Sequence, residues 1–253
     1  DIGIAMGQRG TQVAQEASDM VLTDDAFSTI VSAIEQGRVI FNNIRRFIYY
    51  LMSCNVSEVM VVAMATIIGT TLPILPLQIL FLNLVTDVFP ALALGVGEGE
   101  EGIMRKSPRN PEQPILGSSE WIGIAGYAFI ITLSVLGSLF IGMEYLFLTA
   151  DKAVTLSFLT LAFAQLWHVF NMRSSDSSLW GNTITTNNYV WGALLLCTGL
   201  LFIAVYVPIF SNVLKITPPT VTGWIVIFVM SSIPLLVGQL WKAYGPELEF
   251  IDQ

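Results

Sequence analysis

The segment 74-ILPLQILFLNLVTDVFPALALG-95 carries a single carboxylate in an otherwise almost wholly apolar stretch. Its length meets the ~20 residues that an α-helix needs to cross the hydrocarbon core of a bilayer. Within it, Asn83, Thr86 and Asp87 stand at i, i+3 and i+4, so on an α-helix their side chains share one face. Because an acidic residue at bilayer depth is costly, Asp87 is a candidate functional residue.

The preceding apolar segment has a similar pair of oxygen-bearing side chains. Asn55 and Glu58 stand at i and i+3, on a stretch that is again long enough to span a membrane. Amide, hydroxyl and carboxylate oxygens are the ligands that suit hard cations such as Ca²⁺ or Na⁺. Two neighbouring helices that both present such groups predict an ion site between them.

The composition places the chain among multi-span membrane proteins. It has 253 residues, of which 54% are hydrophobic and 12% charged, and its mean hydropathy is +0.68. The formal charge of −8 argues against nucleic acid as a partner. The two cysteines, Cys54 and Cys197, both lie in apolar segments, which favours neither a disulfide framework nor a thiolate metal site.

The pattern along the chain predicts an all-α membrane protein, a six-helix bundle preceded by a small remnant of an α/β domain. In residues 1–26 the pattern is that of two short strands, Asp1–Gly7 and Met20–Leu22, on either side of a short helix, Thr11–Ala17. A long helix follows to about Ile68, with Asp25 as its expected N-cap. Five further spans are predicted, at roughly 74–95, 120–146, 153–172, 188–208 and 221–243.

The distribution of basic residues predicts the orientation of the bundle. If the N-terminal region is cytoplasmic, the cytoplasmic span ends receive Arg45, Arg46, Arg105, Lys106, Arg109, Arg173 and Lys242. The outer ends receive only Lys152 and Lys215. This asymmetry predicts that both termini and the polar loop at 97–119 face the cytoplasm, and a bacterial protein of this kind is expected in the plasma membrane.

Several motifs, in order along the chain, resemble the C-terminal third of a P-type cation-transporting ATPase of the calcium-pump class. Residues 11–22 are similar to the family's T-x-V-A-x-E-A-x-D-M-V-L tail of the phosphorylation domain. Asn42-Asn43-Ile44 resembles the passage into the fifth span, and residues 82–95 resemble the sixth. The stretch from Met104 to Leu116 is similar to the cytoplasmic loop that follows.

The resemblance implies a domain organisation. The chain would hold spans five to ten of a ten-span pump, embedded in the lipid bilayer. Its expected parts are the end of the phosphorylation domain (1–26), the stalk helix with spans five and six (27–95), a cytoplasmic loop (96–119) and spans seven to ten (120–253).

The resemblance also implies a ligand set. Asn55 and Glu58 would be fifth-span ligands of the transported cation, and Asn83, Thr86 and Asp87 would be sixth-span ligands. Sodium/potassium pumps have an aspartate in place of Asn83, so the chain looks more like a calcium transporter; Na⁺ and Mn²⁺ remain alternatives.

The eighth span departs from the two-calcium pattern. Gln165 occupies the place of a glutamate in reticulum-type pumps, as a ligand or as interhelical glue. Glu58 and Asp87 are then the only two carboxylates expected to be buried among these spans, and two charges balance one divalent ion. The implied function is export of Ca²⁺ in exchange for protons.

The sequence lacks the D-K-T-G phosphorylation motif, a nucleotide-binding domain and the G-D-G-x-N-D magnesium motif. ATP and Mg²⁺ would therefore bind elsewhere in the pump, and the isolated chain is expected not to hydrolyse ATP. Its implied partner is the remainder of the pump: spans one to four and the actuator, nucleotide and phosphorylation domains. A non-enzymatic alternative is a free-standing membrane module that regulates a pump or forms a passive cation pathway.

Overall fold

In the computed structural model the chain divides into two compact units, residues 1–42 with 99–108 and residues 43–98 with 109–253. The structure describes residues 2–99, 102–105, 107–109, 113–174, 177–178 and 180–244. Lys106, one of the residues behind the predicted orientation, lies outside the described residues, as do parts of the predicted loop at 96–119 and the end of the predicted region 120–253.

The N-terminal unit contains the predicted strands and short helix. Strands β1 (Ile4–Met6) and β2 (Met20–Leu22) pair in parallel, and helix α1 (Gln12–Ala17) connects them. The Thr11 hydroxyl caps α1 by accepting the Ala14 N–H. Within β1 only Ala5 is buried, and its neighbours Ile4 and Met6 are exposed.

The prediction that Asp25 caps the long helix is wrong. Asp25 adopts a left-handed conformation with φ of 51°, and its carboxylate accepts the backbone N–H of Gln8 at 2.9 Å. The neighbouring Asp24 accepts the hydroxyl of Thr29 and, at 3.0 Å, the N–H of Ala26. The hydrogen bond from Thr29, with that from Ala26, lowers the pKa of the Asp24 carboxyl. The structure therefore exchanges the roles of the two aspartates. Asp24 accepts the hydrogen bonds from the start of the helix, and Asp25 accepts one from Gln8.

The regular elements in the rest of the described chain are helices. Its helices are α2 (Phe27–Ile68), α3 (Pro76–Leu82), a π-helix (Asn83–Asp87), α4 (Val88–Gly95), α5 (Ser118–Phe140) with a π-helical turn (Ile141–Tyr145), α6 (Ala150–His168) with a 3₁₀ turn (Val169–Met172), α7 (Asn188–Tyr206), α8 (Pro208–Leu214) and α9 (Val221–Tyr244). A short 3₁₀ helix (Ile103–Arg105) lies in the loop after α4. Within the described residues, six helical stretches are long and apolar enough to cross a membrane, which confirms the predicted six-span, all-α fold.

One predicted span ends earlier than expected. The span drawn from 188 to 208 stops at Tyr206, and the separate short helix α8 begins at Pro208. Proline has no backbone N–H to continue a helix, but it is well suited to the first position of a new one.

Helix α6 forms the centre of the second unit. Every residue from Ala153 to Leu166 is buried, and the helix packs against both α5 and α9. A helix that is apolar or neutral on all sides is suited to such a position. At one end of the unit, Arg45 of α2 forms a buried ion pair with Glu120 of α5. Two neighbouring helices are thereby joined at the start of their apolar stretches. Glu120 is also buried, so the expectation that Glu58 and Asp87 are the only buried carboxylates is wrong; unlike them, Glu120 has an arginine as its counter-charge.

The C-terminal end of α4 is held by two asparagine side chains. Asn43 donates to the Gly97 carbonyl at 2.6 Å, and Asn187 donates to the Ala93 carbonyl at 3.0 Å. Carbonyls at a helix end have no partner within the helix, so these amides supply the missing donors. The span that carries Asp87 is thus fixed at this end by α2 and by the start of α7.

Candidate cation-binding site

The stretch Asn83–Asp87 forms a π-helix, not the α-helix that the sequence spacing assumed. Pro90, one turn further on in α4, has no N–H to donate to the preceding turn. Side chains from other helices bind the carbonyls left over: the Tyr50 hydroxyl donates to the Thr86 carbonyl at 2.8 Å, and the Cys197 thiol donates to the Val85 carbonyl at 3.0 Å. Single π-helical turns of this kind are frequent at functional sites.

The two predicted carboxylates lie together with both predicted asparagines. The Asn55 amide donates to Asp87 Oδ2 at 3.2 Å. With its nitrogen turned toward the carboxylates, the Asn83 amide lies 3.1 Å from Glu58 Oε2 and 3.3 Å from Asp87 Oδ2. One amide therefore bridges Glu58 of α2 and Asp87 of the π-helix, and the predicted pairing of these two spans is present in the structure.

Gln165 of α6 joins the same cluster from a third helix. Its amide nitrogen donates to Glu58 Oε1 at 2.9 Å, and its oxygen accepts the Thr86 hydroxyl at 2.8 Å. The structure thus brings together the side chains of all six predicted site residues. Gln165 makes interhelical hydrogen bonds, as the glue alternative expected, and also presents its amide to a carboxylate of the cluster.

The cluster is buried, and one of its oxygens has no partner. Glu58 and Asp87 are each 4% exposed, and Thr86 and Gln165 are fully buried. Among the described residues, no donor reaches Asp87 Oδ1. A buried carboxylate oxygen without a hydrogen bond is unfavourable. A bound cation would compensate its charge, and a bound proton would neutralise it. The arrangement offers a set of hard oxygen ligands with two formal negative charges.

Sequence reasoning missed Tyr50 and assigned Cys197 only to the core. Tyr50 is fully buried, and besides the Thr86 carbonyl its hydroxyl reaches the Gln165 carbonyl at 3.3 Å. It thereby contacts the backbone of two helices that supply site residues. Pro90 was the sequence signal for a buried donor here, because a proline leaves a carbonyl of the preceding turn without its backbone partner. Nothing in the sequence indicates which side chain binds that carbonyl.

These features define a multi-span helical membrane protein with a candidate cation site between three of its spans. Residues 71–244 match the family model described as cation transporting ATPase, C-terminus. The chain belongs to this family.

Two bacterial relatives extend the similarity to almost the whole chain. It is 38% identical over 242 residues to the calcium-transporting ATPase of Bacillus subtilis, covering 95% of this chain and 27% of that protein. It is 35% identical over 260 residues to calcium-transporting ATPase 1 of Bacillus cereus, covering 96% of this chain and 29% of that protein. The chain therefore spans less than a third of the length of these relatives, and the predicted resemblance is confirmed.

Proposed function

We propose that this chain is the membrane part of an ATP-driven pump that exports Ca²⁺ from the cytoplasm. The observation that carries the proposal is the convergence of Asn55, Glu58, Asn83, Thr86, Asp87 and Gln165, with Asp87 Oδ1 left without a donor. Similarity to two calcium-transporting ATPases supports Ca²⁺ as the ion. The ligand chemistry agrees, because carboxylate, amide and hydroxyl oxygens are those that Ca²⁺ prefers.

Charge balance favours one Ca²⁺ per cycle. Glu58 and Asp87 supply two negative charges, and the third helix contributes only the neutral amide of Gln165. A second divalent ion would leave excess positive charge in a region of low dielectric, where repulsion is poorly screened.

Proton counter-transport follows from the same two carboxylates. When Ca²⁺ leaves, the buried carboxylates lose their counter-charge, and protonation lowers the cost of keeping them away from water. Asn55, Asn83 and Gln165 now direct amide nitrogens at the carboxylates. An amide carries both a donor and an acceptor, so rotation of these groups would present oxygens to an arriving cation.

The energy source lies outside the chain. ATP, Mg²⁺ and the phosphorylated aspartate belong to the remainder of the pump, which is the proposed partner of this membrane part. Residues 1–26 are proposed to be the end of the phosphorylation domain, and both termini are proposed to be cytoplasmic. An isolated chain without that partner would not hydrolyse ATP.

Equilibrium ⁴⁵Ca binding to the full-length protein tests the ligand assignment. Asp87→Asn and Glu58→Gln each remove one of two counter-charges, and unit charges ~4 Å apart attract by ~4 kcal/mol at an effective dielectric constant of ~20. We therefore expect Ca²⁺ affinity to fall by more than about a hundredfold, with loss of Ca²⁺-dependent phosphorylation from ATP. Asp151→Asn, in the exposed first turn of α6, is the matched control and should change neither.

The same measurement separates the alternatives. Wild-type affinity in both site variants would show that the ion binds elsewhere. Two Ca²⁺ bound per phosphorylated site would contradict the charge balance. If Na⁺ or Mn²⁺ displaced Ca²⁺ completely at a concentration below that of Ca²⁺, the transported ion would be Na⁺ or Mn²⁺. Ca²⁺ binding without any phosphorylation would favour a passive pathway.

A further inference from the structure

A groove of ≈ 200 Å³ opens on the second unit, away from the candidate cation site. Residues of α5 and α9 line it, together with Tyr49 of α2 and Asn171. Its walls are almost entirely apolar, and it is open along one side. No residue of the candidate cation site lines it.

Glycines make room for the groove. Gly126 of α5 is exposed, and a Cβ atom added to it would have no other atom within 4 Å. Gly238 of α9 has the opposite surroundings, because a Cβ atom there would come within 2.7 Å of the Asn171 side chain. Gly238 is thus needed for packing on one wall, whereas Gly126 faces open space.

One end of the groove is cationic. Lys242, in the last turn of α9, lines this end, and its ammonium group donates to the backbone carbonyl of Arg173. That bond holds the ammonium group beside the groove. Trp241, beside it, is 48% exposed, as is typical of a residue at the membrane–water interface. No acidic side chain lines the groove in the described part of the chain.

We propose that this groove binds an anionic phospholipid, with one acyl chain along Gly126 and the phosphate at Lys242. The apolar walls of the groove complement a hydrocarbon tail, and the ammonium group at its end complements a negatively charged headgroup. Lys242 lies on the side that the basic residues predict to be cytoplasmic, where anionic lipids are concentrated. A peptide helix, roughly 10 Å across, is wider than a single acyl chain and would need more room than a groove of ≈ 200 Å³ provides.

Native mass spectrometry of the full-length protein, released from nanodiscs of mixed phosphatidylglycerol and phosphatidylcholine, tests the proposal. Wild-type protein should retain phosphatidylglycerol in preference to phosphatidylcholine. Gly126→Leu should lose the retained lipid, because its side chain would extend into the groove from a Cβ position that has open space around it. The matched control is Gly199→Leu, at an exposed glycine of α7 that also has open space around its Cβ position.

Lys242→Gln tests the headgroup separately. Its expected effect is a roughly fivefold loss of the preference for phosphatidylglycerol, the size expected for one basic residue near a membrane surface. Because Lys242→Gln leaves the groove open, it still tests the binding of an anionic headgroup if Gly126→Leu does not fold. Unchanged retention in Gly126→Leu, an unchanged headgroup preference in Lys242→Gln, or a second copy of the chain on this face would overturn the proposal. The candidate cation site is intact in every variant, so this result is independent of the pump assignment.

Discussion

Two membrane-length helices of the same bundle differ in their backbone: α6 is α-helical from Ala150 to His168, whereas the span from Pro76 to Gly95 is π-helical between Asn83 and Asp87. In α6 the Ser157 hydroxyl donates back to the Ala153 carbonyl of its own helix at 3.1 Å. In the other span the Thr86 carbonyl accepts a hydrogen bond from Tyr50 of α2. A regular helix satisfies its backbone internally, whereas an interrupted one exchanges hydrogen bonds with its neighbours. The interrupted span therefore couples its site residues to adjacent helices.

Pro90→Ala should have the largest effect on this contrast. An alanine restores the N–H that Pro90 lacks, so the chain from Asn83 to Asp87 can close as an ordinary α-helix and compete with the Tyr50 hydroxyl. We expect the site oxygens to be displaced and Ca²⁺ affinity in the full-length protein to fall by about tenfold or more, the equivalent of ~1.4 kcal/mol. Titration of ⁴⁵Ca binding measures the change.

A second proline provides the control for this variant. Pro234 lies inside α9, which remains α-helical throughout. Pro234→Ala should therefore leave Ca²⁺ affinity unchanged. Equal losses in both variants would show that proline affects the bundle as a whole and that the π-helical turn has no special role in the site.

Tyr50→Phe should have the next largest effect, on stability. It removes the hydroxyl that donates a hydrogen bond to the Thr86 carbonyl, and this carbonyl stays buried without that donor. The expected cost is about 1–3 kcal/mol in the free energy of unfolding, measured by thermal or steric-trap denaturation in one detergent. Tyr49→Phe is the matched control, because Tyr49 is similarly buried but its hydroxyl makes no hydrogen bond within the described chain. Equal losses would assign the effect to ring packing.

The sequence predicted the regular parts of the fold well, because long apolar stretches and short periodic segments act through local rules. Six spans, the two short strands and the short helix between them follow from such patterns. Five of the six site residues were selected as oxygen-bearing side chains at helical spacing, the family resemblance added Gln165, and the structure brings all six side chains together. Their role as ligands stays a prediction.

What the sequence did not predict depends on contacts between distant residues. From the sequence, the N-cap was assigned to Asp25, because a rule based on local sequence does not distinguish it from the adjacent Asp24. In the structure the Asp25 carboxylate binds the distant Gln8 N–H, and Asp24 binds the Ala26 N–H. The π-helical turn requires partners for its carbonyls from α2 and α7, at Tyr50 and Cys197. No spacing within one span reveals those partners, because each belongs to a different helix.

Ser157→Ala should have the smallest effect. Its hydroxyl returns to the Ala153 carbonyl, which also receives a backbone N–H in the regular helix, so no buried group loses its only partner. We expect a change within about 0.5 kcal/mol in the free energy of unfolding and no change in ⁴⁵Ca binding. Thr86→Val, by contrast, leaves the Gln165 oxygen without the hydroxyl 2.8 Å away and should cost about 1–3 kcal/mol. A Ser157→Ala loss as large as that of Thr86→Val would mean that hydroxyls in both helices act through packing alone, and the contrast between the regular and the interrupted span would no longer hold.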